Sequence, residues 1–247
     1  MTKETSMRVI GNRLWLAAGL LTILALPGVA NAASTITGTV TFTGKPPALK
    51  PLAMDADPAC AKKHTKPVLA EMLVLGGGQT MANVIVYVSK GLPAGKTFPV
   101  PSTPVVLDQN GCVYKPHVMG IMVGQAYKVL NSDGVLHNIH TLPKVNKSFN
   151  KGMPPTLKET TTTFEKPEEV FNIKCDVHPW MQAYIAVFNH PFFSVTGTDG
   201  KFTISGLDPG TYTITAWQER LGTQTATVTV GANETKSSNF KFAVPAK

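Results

Sequence analysis

The strongest constraint on what this chain can fold into is the shortness of its apolar runs. Short runs of strand-forming residues, most of them alternating apolar with polar, cover Ile36 to Phe42, Val84 to Val88, Tyr127 to Leu130, Phe171 to Lys174, Tyr184 to Phe188, Phe202 to Ile204, Tyr212 to Ala216 and Thr225 to Val230, with turn-forming residues between the runs. Alternation at every second residue turns one side of a strand to a core and the other to water, whereas helical spacing is scarce throughout. Thr and Val favour strands, and the 21 Gly and 19 Pro of the 247 residues serve the turns between them. The pattern predicts an all-β fold built of sandwiches, with room for one large or two small domains.

Residues 1–32 differ in kind from the rest. Lys3, Arg8 and Arg13 lead into the apolar run Leu14 to Leu26, followed by Pro27, Gly28 and the small-residue sequence Val29-Ala30-Asn31-Ala32. A basic start, a short apolar stretch and small residues read as a secretory signal peptide cleaved before Ala33. The run is too short to span a bilayer comfortably, and no cysteine follows it to carry a lipid. Nothing later approaches the length of a membrane-spanning helix, so the expectation is a periplasmic or secreted protein whose mature chain has no membrane span. The formal charge of +8 is spread thinly. Without an arginine-rich run or basic-aromatic interleaving, it argues against nucleic acid as a partner. Lys144, Lys147, Lys151 and Lys158 could steer an acidic redox partner, or simply keep a loop solvated.

Three cysteines in an oxidising compartment leave one over. Cys60, in Asp57-Pro58-Ala59-Cys60, and Cys112, in Asn110-Gly111-Cys112, occupy loop-like contexts that suit a structural disulfide. Free thiols, or a second metal site with His64 or His117, are the alternatives. Cys175 stands apart, in Phe171-Asn172-Ile173-Lys174-Cys175-Asp176-Val177-His178-Pro179-Trp180-Met181, a strand followed by a tight loop that leads into another strand. Thiolate, imidazole and thioether within one loop are soft or borderline ligands, which suits copper, and a copper electron-transfer site takes two His and one Cys with a weak axial Met. Zinc prefers more thiolates or histidines and no thioether. The second histidine has to come from elsewhere, and Asn131-Ser132-Asp133-Gly134-Val135-Leu136-His137-Asn138-Ile139-His140 offers two. His64, His117 and His190 lack partners at convincing spacing, and Met119 and Met122 fit the core of the preceding strand.

The order of these pieces is specific. Tyr114-x-Pro116, an apolar strand, a turn at Gly124, Asn131-x-Asp133, His137-Asn138-x-His140 and finally Cys175-x-x-His178-Pro179-Trp180-Met181 resembles a cupredoxin, and the short ligand loop is most similar to the amicyanin type. The resemblance covers residues 112 to 188. It implies a single type 1 copper ion held by His137, Cys175, His178 and Met181, with His140 as the alternative to His137. It also implies that the Asn138 backbone N–H donates to the thiolate while the Asn138 side chain ties the two ligand loops together, with His140 and Asp176 supporting the ligands from behind. One departure is Leu136, where the family usually has proline. In the resembling proteins the loop histidine lies near the surface in an apolar patch, which here would contain Pro179 and Trp180 and serve for partner docking.

After Pro191 the chain changes style. Thr198-Asp199-Gly200-Lys201-Phe202 and Gly206-Leu207-Asp208-Pro209-Gly210-Thr211-Tyr212 carry two turn signals between alternating strands. This phrasing resembles the carboxypeptidase regulatory-like domain, a small transthyretin-like β-sandwich. Ile36 to Gly44 and Asn83 to Val88 look like its opening strands. The predicted organisation is a signal peptide at 1–32, an N-terminal β segment at 33–100, a cupredoxin domain at 101–190 and the regulatory-like sandwich at 191–247. The copper module is either inserted into that sandwich or flanked by two separate modules.

These readings together imply a periplasmic type 1 copper protein that carries single electrons between redox partners, such as a c-type cytochrome or a periplasmic dehydrogenase. Enzyme activity is not expected, because four protein ligands leave no open position on the metal. Covalent haem is excluded by the lack of Cys-x-x-Cys-His, and Gly-x-Ser-x-Gly and His-Glu-x-x-His are missing too. The alternatives are copper delivery or sequestration without electron transfer, and a sandwich that binds glycan or peptide.

Overall fold

Among the described residues strand pairing gives four sheets. The computed structural model describes residues 1–4 and 33–244, so the segment read as a signal, apart from its first four residues, lies outside the described residues. In chain order the strands are β1 (Ser34–Thr43), β2 (Ile85–Lys90), β3 (Val105–Gln109), β4 (Tyr114–Lys115), β5 (Val118–Met122), β6 (Tyr127–Asn131), β7 (His137–Thr141), β8 (Asn150–Met153) and β9 (Glu159–Thr162). They continue as β10 (Glu168–Lys174), β11 (Gln182–Phe188), β12 (Phe193–Val195), β13 (Lys201–Leu207), β14 (Gly210–Gln218), β15 (Gly222–Val230), β16 (Thr235–Ser237) and β17 (Phe240–Ala243). One short helix, α1 (Pro58–Ala61), lies between β1 and β2. Among the described residues no helix is long and apolar enough to cross a membrane.

Strands from the two ends of the described chain share two sheets. β1 pairs antiparallel with β13 and parallel with β16 and β17, while β2 lies between β12 and β14, with β15 outside β14. Their inward residues, among them Ile36, Val40, Phe42, Val86, Phe202, Ile204, Ile214 and Phe242, form one core. Gly38 sits where β1 is crowded by its neighbours, and a Cβ there would lie 1.9 Å from the Ser238 carbonyl oxygen. Glycine is the residue that allows this backbone approach.

Residues 105–188 supply the other two sheets, in the orders β5-β11-β10-β7-β8 and β4-β3-β6-β9. Leu107, Tyr127, Val129, Ile139, Phe164, Phe171, Ile173 and Ile185 fill the core between them, with Met119 in the same core as expected. β11 pairs parallel with β5, and β3 parallel with β6. β5 and β11 are buried on both faces, because their outer face meets β2 and β12 through Ile85, Val118, Ala186 and Phe188. The architecture is thus all-β, a sandwich of residues 105–188 joined to a second β-sandwich.

Every alternating run read from the sequence lies on a strand, with Val84 one residue ahead of β2. Among the strands those runs do not cover, β8, β9 and β16 are largely polar. They are edge strands, ordered by backbone pairing to β7, β6 and β1 and not by an apolar face of their own.

Candidate metal centre

Two neighbouring strands bring the ligand candidates together. β7 begins at His137 and β10 ends at Lys174, one residue before Cys175, and the pair is antiparallel with Lys174 opposite His140. That register sets Cys175 beside Asn138, whose backbone N–H donates to Sγ at 3.4 Å. The loop from Cys175 to Met181 is closed by its own hydrogen bonds. The His178 N–H donates to Cys175 Sγ at 3.4 Å, the Met181 N–H to the His178 carbonyl at 2.9 Å, and the Cys175 N–H to the Met181 carbonyl at 3.2 Å.

His137, Cys175 and His178 are all buried, and one donor atom of each lies within 4.8 Å of the others. The two Nδ1 atoms are 2.9 Å apart, and His178 Nδ1 is 3.9 Å from Cys175 Sγ. Met181 is buried in the same core as Cys175. His140 stays outside the cluster, its Nδ1 2.9 Å from Asp176 Oδ2. Of the two histidines offered by the sequence, the structure directs His137 at the thiol.

Behind these three side chains Asn138 and Asp176 join the two loops. Asn138 Nδ2 donates to Asp176 Oδ2 at 3.0 Å, and the Asp176 N–H donates to Asn138 Oδ1 at 2.5 Å. Lys174, first among its partners, holds the Asp176 carboxyl well below the usual carboxylate range. Tyr114 Oη donates to the Asn138 carbonyl, and burial pushes its phenol far up.

Two carboxylates that sequence reasoning assigned no role complete the surroundings. Asp133 Oδ2 is 2.9 Å from His137 Nε2, and Asp57 Oδ2 is 2.9 Å from His178 Nε2. Asp133 was visible only as part of the Asn131-x-Asp133 string. Asp57 had a different signal: as the residue before Pro58 it caps α1, accepting from the Ala59 N–H at 2.8 Å. Burial alone would raise the Asp133 carboxyl, but His137, the Cys112 and Gly111 N–H groups and Lys63 outweigh it and bring it down to about 2. Asp57 is also lowered, chiefly by His178.

This donor set fits a soft or borderline cation. A neutral imidazole carries one N–H. With a carboxylate at each Nε2 that proton belongs there, which leaves two bare Nδ1 atoms facing each other at 2.9 Å. Two such lone pairs require a shared proton or cation between them. Burial pushes the Cys175 thiol up, yet His137 and the N–H groups of Asn138, His178 and Val177 prevail and hold it below its ordinary value, toward thiolate. For His137 burial works against the charged form, and Asp133 and Cys175 more than offset it, raising its pKa. Two other groupings, Asp57-Cys60-His178 and Cys112-Asp133-His137, also bring three donors within the same span. Each relies on a sulfur of the Cys60–Cys112 disulfide, so only the first grouping has three free donors.

That disulfide, one of the three readings left open for these cysteines, is present and passes behind both imidazoles. Cys60 Sγ lies 3.6 Å from His178 Nε2. The surroundings of His178 differ from those implied by the resemblance. Pro179 is exposed and Trp180 half-buried, but His178 itself is only 2% exposed. Asp57 and the α1 segment cover one edge, and the Trp180 ring lies 4.9 Å from the imidazole, with its indole N–H donating to the Cys112 carbonyl. His64 and His117 do not join the centre. His64 Nε2 is 2.7 Å from the Gly111 carbonyl and His117 Nε2 is 2.9 Å from Glu219.

Fold and site therefore define a class, an all-β protein of two β-sandwiches with a buried Cys-His-His cluster whose donor atoms could hold a cation. More particularly, residues 178–243 match the carboxypeptidase regulatory-like domain, and part of the chain is similar to cupredoxins of known structure. Among solved structures it is similar to a Cu-containing nitrite reductase from Thermus scotoductus SA-01, at 21% identity over 41% of this chain and 26% of that one, with a TM-score of 0.33. A Cu(I) amicyanin variant is 20% identical over 40% of this chain and all of its own, TM-score 0.31. A purple cupredoxin from Nitrosopumilus maritimus is 24% identical over 34% of this chain and 98% of its own, TM-score 0.29. This chain thus spans about a quarter of the nitrite reductase. No curated protein matches it in sequence.

Proposed function

We propose that this is an exported, periplasmic type 1 copper protein that carries single electrons between redox partners. The observation that carries the reading is the convergence of His137 Nδ1, His178 Nδ1 and Cys175 Sγ on one buried point. Met181, which closes the same loop, would hold the ion as a further, weaker donor. Copper supplies reversible one-electron chemistry when bound.

The protein's part is to hold and enclose. His137 and Cys175 are fixed by neighbouring strands and His178 by a loop closed on itself, so the donor positions are set before any ligand arrives. Burial of all three excludes water from the donors. Delivery or sequestration would favour donors that a second protein can reach, and this burial weighs against it. The proposed partner is a redox protein such as a c-type cytochrome or a periplasmic dehydrogenase. The proposed contact is the exposed surface beside the ligands, Pro179 and Trp180 together with the exposed apolar Leu136 and Val177. Small apolar faces of this kind suit brief redox encounters.

Absorption spectroscopy tests the assignment. Copper-loaded protein is expected to show an intense blue thiolate-to-copper(II) band and a reversible one-electron couple, and Cys175→Ser to lose the band. A colourless copper(II) complex in the native protein would sink the reading.

A further inference from the structure

Resting on the copper reading of the site, we propose that Asp57 is a positioning residue that fixes His178 as a metal ligand, and that the segment carrying it is a built-in cap over the site.

Asp57 lies 121 residues from His178 in sequence, yet its Oδ2 is 2.9 Å from His178 Nε2 while its Oδ1 accepts from the Ala59 N–H at 2.8 Å. One carboxylate thus starts α1 and binds the ligand ring. Several independent ties hold the segment in place. Cys60 is bonded to Cys112, Lys63 Nζ donates to the Asp133 carbonyl at 2.8 Å, and His64 Nε2 is 2.7 Å from the Gly111 carbonyl. Pro51 also bridges to Leu69 across the base of the segment. The cap has a visible effect on exposure. Both neighbours of His178 in sequence, Val177 and Pro179, are exposed, whereas His178 is buried. The arrangement also mirrors Asp133 behind His137, so each imidazole has a carboxylate on Nε2 and directs Nδ1 at the other ring and the thiol.

The chemical consequence follows from the single N–H of a neutral imidazole. With Asp57 accepting at Nε2, the Nδ1 lone pair is free and aimed at the cluster. A carboxylate behind a ligating histidine fixes its tautomer and orientation and raises its basicity. Greater basicity favours the more highly charged oxidation state, so Asp57 should hold the reduction potential down.

The test compares Asp57→Asn, which keeps an acceptor oxygen but loses the charge, Asp57→Ala, which loses both, and Asp57→Glu, which restores the charge on a longer arm. Asp55→Ala serves as a control, because Asp55 is an exposed charge on the same segment. In metal-free protein, imidazole ¹⁵N shifts should report His178 as the Nε2–H tautomer, with the preference lost in Asp57→Ala. In copper-loaded protein the midpoint potential should rise in Asp57→Asn and further in Asp57→Ala, return toward the native value in Asp57→Glu and stay put in Asp55→Ala. Loss of a supporting group of this kind typically costs 10–100-fold in metal affinity. If that loss falls on copper(II), each factor of ten raises a one-electron potential by about 59 mV. A merely structural Asp57 would lower the melting temperature and leave the potential unmoved, and that result, or a native His178 protonated on Nδ1, would overturn the proposal. If the native protein showed no blue band, the copper reading would fail on that measurement, and the tautomer of metal-free His178 would still decide whether Asp57 positions the ring.

Discussion

Behind His137 the supporting carboxylate is itself well supported. Asp133 accepts from the Gly111 N–H at 2.6 Å and the Cys112 N–H at 2.7 Å besides facing His137, and its side chain is almost fully buried. Asp133→Asn removes the charge and replaces one acceptor oxygen with a donor, so some of these N–H groups lose their partner. The expected outcome is copper affinity weakened about 10–100-fold and stability lowered by about 1–3 kcal/mol. A chelator competition titration and a denaturant melt of metal-free protein check the two parts. At this scale the sequence was legible where candidate donors are contiguous. Cys175, His178 and Met181 stand out within seven residues because one loop carries all three. His137 needed the cupredoxin resemblance to be chosen over His140. Asp57 could not be found as a partner of His178, since the two lie 121 residues apart in sequence and meet only through the tertiary fold. The burial of His178 was missed for the same reason.

Elements in this protein are often fixed by single side chains acting on backbone. The connection between β7 and β8 is an example, because Glu168, at the start of β10, accepts from the N–H groups of Lys144, Val145 and Asn146 and from Asn146 Nδ2. Asn146 Oδ1 in turn accepts from the Glu165 and Lys166 N–H groups. Burial raises the Glu168 carboxyl, but these donors outweigh it and lower it below the ordinary 4.5. A carboxyl depressed on folding contributes stability that is complete above its unfolded pKa and is lost as pH falls through the folded value. Glu168→Ala is therefore expected to cost about 1–3 kcal/mol at neutral pH. Its difference from the native protein should close on acidification below about pH 4.5, as urea melts across pH would measure. A gap that persisted at low pH would show that the charge is not what holds the loop. None of this was readable as structure in the sequence, where residues 142–149 form no strand pattern and β8 and β9 carry too few apolar residues to reveal a face.

The two sandwiches meet along a narrow seam, and one glycine sets how closely they approach. Gly120 is the central residue of β5, paired with Ala186 of β11, and its open face looks across at β2 and β12. A Cβ at that position would lie 2.6 Å from Phe193 Cδ2, 2.7 Å from Cε2 of the same ring and 3.2 Å from Ile85 Cδ1. The Phe193 ring is stacked on Phe188 at 4.7 Å between centroids, so it has little freedom to turn aside. Replacing a strand glycine by alanine would ordinarily stabilise by about 0.5–1 kcal/mol through chain entropy. Overpacking a filled interface costs about 1–3 kcal/mol, and with contacts this short the steric term prevails. Gly120→Ala is thus expected to lower the melting temperature. Because the ligand loop ends at Met181, before β11 begins, the clash lies along the strand from the donors, and the blue band of the folded, copper-loaded variant should keep its position and intensity. Melting followed by that band and by far-ultraviolet circular dichroism separates two possibilities. If the seam makes the sandwiches one cooperative unit, both probes shift together to lower temperature. A shift in dichroism that leaves the copper-band melt where it was would mean that the sandwich carrying the cluster stands without its neighbour.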